Sequence, residues 1–116
     1  MTTSSTVAFV TGGSGFLGRN LIRALVADGF AVRALVRSPK ARAAVEQRGA
    51  RAIDGDLAGS DGVVDGMRGC DVVIHCAAAA EDWGTRDEMW RANVDGTEHM
   101  IACAKKAGVR RFVHTS

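Results

Sequence analysis

Apolar and polar positions along the chain fall into two alternating patterns. Short apolar runs at Val7–Val10, Ala31–Val36 and Asp71–Cys76 have the length of strands. They lack the in–out alternation of a half-exposed sheet, so they predict strands covered on both faces. Between them the period is helical. A helix is expected from Phe16 to Asp28, with Leu17, Leu21 and Leu25 on one face and Gly29 as its stop. Ser38-Pro39 supplies an N-cap and a first-turn proline for a helix reaching Arg48, closed by Gly49. Arg51–Ile53 reads as a weaker third strand and Asp61–Met67 as a short helix. A long helix follows from Asp87 to Ala107, ended by Gly108, and Phe112–Thr115 is a fifth strand. Strand–helix–strand units of roughly 20–30 residues make a parallel sheet with helices on both faces. The fold class is therefore α/β: one three-layered, doubly wound domain with no linker or repeat.

The long helix carries two adjacent apolar stripes. One is Trp90, Val94, Thr97, Ile101 and Ala104; the other is Gly96, Met100, Cys103 and Ala107. A helix lying on one side of a sheet needs one stripe, so the second, with its small residues, is expected to seat a partner helix of the same domain or of a second subunit.

Composition narrows the function. Fifteen basic against thirteen acidic residues give a formal charge of +2, no electrostatic footprint for nucleic acid. No apolar stretch approaches the roughly 18 residues of a membrane span, and Met1–Thr6 lacks the basic and apolar regions of a secretory signal. Cys70, Cys76 and Cys103 have no Cys-x-x-Cys spacing, which argues for small buried hydrophobes in a cytoplasmic protein rather than a disulfide framework or zinc site. The chain contains no tyrosine, so no tyrosine of its own can act as acid or base.

The strongest chemical signal is Thr11-Gly12-Gly13-Ser14-Gly15-Phe16-Leu17-Gly18. It follows the first strand and opens the first helix. There one glycine serves the tight turn, one lets the backbone approach a pyrophosphate, and one permits close helix–strand packing. The helix start then offers unpaired N–H groups to phosphate.

This loop resembles that of the extended short-chain dehydrogenases/reductases, the nicotinamide-dependent epimerase/dehydratase group. Four more places share the likeness: Gly55-Asp56-Leu57, Asp71 to Ala78, Asn93-Val94-Asp95-Gly96-Thr97, and Arg111 to Ser116. The resemblance covers the whole chain. It implies a Rossmann-like sheet in the order 3-2-1-4-5, two further strands beyond this chain, and a nicotinamide dinucleotide as partner. Gly12, Gly15 and Gly18, with Phe16 and Leu17 between them, would face the pyrophosphate. Asp56 would accept from the adenine amino group, Leu57 would pack on the ring, and Ala77 and Ala78 would pass beneath a ribose.

The second strand ends Leu35-Val36-Arg37-Ser38, with Arg33 and Lys40 near and no acid until Glu46. An acid at that point favours NAD and an arginine favours NADP. Arg37 can fork a 2′-phosphate and stack on adenine, and Ser38 either adds a hydroxyl or only caps the helix. NADP is thus favoured over NAD. A rival calcium loop, Asp54-x-Asp56 with Asp65, lacks a ligand at Ala58 and the closing glutamate.

The family's Tyr-x-x-x-Lys pair is absent, Lys40, Lys105 and Lys106 being the only lysines. Ser116 stands where the family's serine segment begins. Asn93 resembles a helix asparagine that supports the active site, or it relieves packing in a long helix. His75 and His114 lie on neighbouring strands, where a core role is commoner than a basic one. No catalytic residue and no metal ligand is assigned. Residues 1–116 are expected to form the cofactor-binding part of a reductase, epimerase or dehydratase, inactive alone. The alternatives are a nicotinamide-sensing or partner-binding module and an engineered piece without activity. The fifth strand, left as an open apolar edge, or the long helix is expected to drive self-association.

Overall fold

The computed structural model describes residues 6–57, 61–76 and 86–115. Among the described residues strands and helices alternate: β1 (Val7–Thr11), α1 (Phe16–Ala27), β2 (Ala31–Val36), α2 (Pro39–Glu46), β3 (Arg51–Asp54), α3 (Asp61–Met67), β4 (Val72–His75), α4 (Arg86–Ala107) and β5 (Arg111–His114). All strand pairs are parallel, and the sheet order is β3-β2-β1-β4-β5. This is the doubly wound order expected from the sequence.

Why the apolar runs do not alternate is visible in β1. Phe9 and Val10 point to opposite layers and both are fully buried. Phe9 joins Val63, Met67, Val73 and Met100 beneath α3 and α4. Val10 joins Ile22, Ala34 and Val45 beneath α1 and α2. Burying either of two such side chains contributes about 1.5–3 kcal/mol, so both sheet faces are held by comparable apolar layers.

The strands end level with one another. Thr11 is in register with His75, Val36 with Asp54, and His75 with His114. The chain therefore leaves the sheet along one edge at Gly12, Arg37, Gly55, Cys76 and Thr115, where an open α/β sheet offers its crevice. The opposite edge is fastened by Asp71, whose carboxylate accepts from the Val7 amide at 2.7 Å while its own amide donates to the Val7 carbonyl at 2.8 Å.

Local stops follow the expected chemistry. Ser38 Oγ accepts from the Ala41 amide at 3.1 Å, with Pro39 next in the chain, so the hydroxyl is at least a helix cap. Gly29, Gly49 and Gly108 close their helices with positive φ. Helix α2 ends at Glu46 rather than Arg48, β4 is one residue shorter at each end than Asp71–Cys76, and β5 begins and ends one residue earlier than Phe112–Thr115.

Two expected faces are different in the structure. In α1 the buried residues are Gly18 and Ile22, whereas Leu17 is 51% exposed and Leu21 and Leu25 are half-buried. The cause is the close approach at Gly18, which rolls the inward stripe by one residue. In α4 the stripe with small residues faces inward: Gly96, Met100 and Cys103 are buried and Ala107 half-buried, joined by Ala104 from the edge of the other stripe, which is buried too. They pack on α3 and the sheet, and a Cβ on Gly96 would stand 3.1 Å from Leu57 Cδ1. This chain's own core, rather than a partner helix, occupies that stripe. Val94, Thr97 and Ile101 form the half-buried flank.

Among the described residues, no helix is long and apolar enough to cross a membrane.

Candidate functional site

The glycine turn is built by contacts that tolerate no side chain. Gly12 has φ +69°, and its carbonyl accepts from the Gly15 amide at 3.2 Å. A Cβ on Gly18 would overlap the Gly12 carbonyl and lie 2.7 Å from Gly13 Cα. Gly13 belongs to the same set although only its neighbours were singled out: its Cβ would meet Ile22 Cδ1 at 2.8 Å. With α1 drawn down on the turn, Gly15 caps it in extended backbone, without a side-chain bond and without an acid in the first turn. The opening amides of α1 thus keep their positive dipole end free of carboxylate. Phe16 and Leu17, 79% and 51% exposed, flank this opening.

Beside it lies a groove of about 500 Å³ lined by Val36, Arg37, Ser38, Pro39, Arg42, Asp54, Gly55 and Asp56. Its floor is the end of the β2–β3 pair, where the Gly55 amide donates to the Val36 carbonyl at 2.9 Å. Arg37 is exposed and has no hydrogen bond or ion pair among the described residues. Arg42, which sequence reasoning passed over, enters the groove from the first turn of α2. Its Nη2 donates to Asp54 Oδ2 at 2.6 Å, and its Nη1 lies 3.5 Å from Glu46 Oε2. Asp54 first, and Glu46 after it, hold the Arg42 guanidinium even more firmly protonated than usual.

The structure brings Gly12, Gly15, Gly18, Phe16 and Leu17 to one turn, and Arg37, Ser38 and Asp56 to the neighbouring groove. Arg33 is elsewhere. Its Nη1 donates to the carbonyls of Gly66 and Arg68 at 2.8 and 2.7 Å, closing the end of α3. Leu57 packs against the core beneath α3 and α4, so the side chain expected on an adenine ring is partly committed to the interior. Asp54 and Asp65, the outer carboxylates of the calcium reading, pair with Arg42 and Arg68 instead. Ala77, Ala78 and Ser116 lie outside the described residues, as does the side chain of Asn93.

Below the glycine turn a histidine pair stands in the sheet. His75 is fully buried, and its Nδ1 lies 2.6 Å from Thr11 Oγ1, the residue before Gly12. Its Nε2 has no hydrogen-bond partner among the described residues. The His114 ring stands 5.4 Å away and Phe112 at 6.0 Å. Burial, and secondarily His114, lower the His75 pKa from 6.5 to about 4. Burial likewise pushes the Cys70 and Cys76 thiols up, which keeps them protonated and unreactive.

Known proteins share this fold. Residues 8–116 match the NAD dependent epimerase/dehydratase family. The chain is 52% identical over 108 residues to the 4-hydroxy-2-methyl-3-oxo-4-farnesyl-3,4-dihydroquinoline-1-oxide ketoreductase of Stigmatella aurantiaca, covering 93% of this chain and 32% of that protein. It is 38% identical over 109 residues to a 2-alkyl-3-oxoalkanoate reductase of Shewanella oneidensis, covering 94% and 28%. Among solved structures it is similar to a short-chain dehydrogenase/reductase superfamily protein from Agrobacterium tumefaciens with bound NAD. That match has 33% identity and a TM-score of 0.74, over 95% of this chain and 32% of that one. The fold also matches vestitone reductase from alfalfa, with a TM-score of 0.72 at 24% identity, over 95% and 36%. The chain spans about a third of the length of the curated relatives it matches. With its glycine turn, its sheet order and a match from residue 8 to residue 116, the chain belongs to the NAD-dependent epimerase/dehydratase family.

Proposed function

We propose that this chain binds NADP(H), with the pyrophosphate on the amides that open α1 and the adenosine phosphate in the groove beside Arg37. The carrying observation is the Gly18–Gly12 approach, which leaves no room for a side chain where α1 meets the glycine turn. Backbone donors and a dipole end exposed in this way suit a diphosphate. Arg37 supplies the forked cation for a 2′-phosphate, Ser38 a hydroxyl beyond its capping role, and Asp56 an acceptor for the adenine amino group. Ala77 and Ala78 complete the reading beneath the ribose. Bound there, the cofactor would supply hydride chemistry.

The relatives named as reductases support carbonyl reduction as the activity of the whole protein. The 116 residues, having no tyrosine, would bind without turnover. Residues 1–116 would then be the dinucleotide-binding portion of that enzyme. The edge of β5, where Val113 is 44% exposed, would be the surface for self-association.

Calorimetric titration of the chain with NADPH and NADH tests this reading. Tighter binding of NADPH is expected. Equal affinities would remove the NADP assignment, and no binding of either would remove the dinucleotide site.

A further inference from the structure

Arg42 and Asp54 are the charged side chains of the groove to which the proposed function gives no part, and Arg42 is the cation of the two. It lines the groove together with Arg37 and Ser38, yet its guanidinium is turned to Asp54 at 2.6 Å. Asp54 closes β3 in register with Val36, the residue before Arg37, and lines the same groove. The lining holds two cations, Arg37 and Arg42, against two carboxylates, Asp54 and Asp56, and Glu46 leans on Arg42 from behind at 3.5 Å. A phosphomonoester carrying about two negative charges would enter a lining without net charge.

Arginine has five N–H donors in a rigid fork, and Asp54 takes only one of them in a short bond. The Asp54 side chain is 77% exposed and that of Arg42 39% exposed, so the pair is open to competition from solution. An exposed carboxylate holds an arginine weakly, whereas a phosphate accepts two parallel bonds from it.

We infer that Arg42 is a second cation for the phosphate on the adenosine ribose, and that Asp54 competes with that phosphate for it. The Arg42–Asp54 pair thereby sets how strongly the groove discriminates phosphorylated from unphosphorylated adenosine. This rests on the assignment of the groove to the adenosine phosphate. Asp54 has two effects of the same sign: it occupies Arg42, and it places a negative charge beside the incoming one. Asn in its place removes both and leaves the backbone and the strand register as they are.

The test uses the 116-residue chain and two probes that differ only by the 2′-phosphate, adenosine 2′,5′-bisphosphate and adenosine 5′-monophosphate. Binding is followed by amide chemical shifts, which also report that each variant is folded. The unmutated chain should prefer the bisphosphate. Asp54→Asn should tighten the bisphosphate by about two- to fivefold, the size of an exposed charge pair, and leave the monophosphate unchanged within error. Arg42→Gln should weaken the bisphosphate by about tenfold, and Asp54→Asn added to it should bring back less than it gains in the unmutated chain, since only the charge effect of Asp54 is left to remove. A preference in the unmutated chain that Asp54→Asn does not enlarge would overturn this inference while leaving the NADP reading standing. An undiminished preference in Arg42→Gln would do the same. No preference in the unmutated chain would overturn both.

Discussion

Acidification is the perturbation that the buried His75 should report most directly. In the folded chain its pKa is lowered from 6.5 to about 4, first by burial and then by the facing ring of His114. The geometry accounts for the direction. His75 is 0% exposed, Nδ1 is engaged with Thr11 Oγ1 at 2.6 Å, and Nε2 has no acceptor among the described residues. Protonation would bury a charge without a partner. An unfolded chain carries no such penalty, so between pH 6.5 and about 4 it binds the proton that the native state refuses. Stability is therefore unaffected well above pH 6.5, falls as the pH drops through that window, and levels off below about 4. At ~1.4 kcal/mol for each pH unit in the gap, the loss amounts to roughly 3 kcal/mol. This is a large share of the roughly 5–15 kcal/mol that holds an ordinary domain. Urea unfolding followed by far-ultraviolet circular dichroism, from about pH 7.5 to about pH 4, measures it. His75→Gln should start less stable, because the bond to Thr11 and the ring packing are lost, but its pH dependence should be flatter by that amount. A variant with the same slope as the native chain, or a His75 ring resonance titrating near 6.5, would refute the reasoning.

Other perturbations test the remaining contacts. Gly18→Ala drives a methyl into the Gly12 carbonyl; it should cost about 1–3 kcal/mol in thermal unfolding and abolish NADPH binding measured by calorimetry. Arg37→Asp should reverse the coenzyme preference toward NADH in paired titrations, since the forked cation becomes an acid able to hold a ribose hydroxyl. Met100→Ala, at a fully buried site, should cost about 2–5 kcal/mol, and Ile101→Ala on the half-buried flank clearly less. The reverse order would return the inward face of α4 to the Ile101 stripe. Ser38→Ala should cost about 1 kcal/mol through the lost cap on the Ala41 amide.

The residues that were legible in the sequence are those whose role is settled within a few positions along the chain. Ser38 caps α2 because Ala41 is three residues on. Gly12 turns because its own φ is +69°. The parallel, doubly wound sheet followed from short apolar runs separated by helices, since a parallel pair leaves the connecting chain few other routes, whereas the order of its strands came from the resemblance to the family.

What escaped sequence reasoning depends on which of two chemically similar alternatives the third dimension selects. Both stripes of α4 are apolar and both fit the helical period, so periodicity ranks them equally. The choice is made by approach distance, because Gly96 admits Leu57 and Cys103 lets the helix settle on α3 and the sheet. Small residues that resembled the seat of a partner helix are there to bring α4 close to its own sheet. Charged residues carried the same ambiguity. Arg33, Arg37 and Arg42 all lie within ten residues of one another, yet one caps α3 from 33 residues away in sequence, one stands free at the strand end among the described residues, and one is held by Asp54. Only the last two share a groove. Sequence distance measures reach along the chain, whereas a site collects whatever the sheet edge brings level. In this fold the register of Val36 with Asp54 brings a carboxylate into the groove that Arg37 and Arg42 line, and that is what would make Asp54 a determinant of phosphate recognition although it lies outside the dinucleotide motifs.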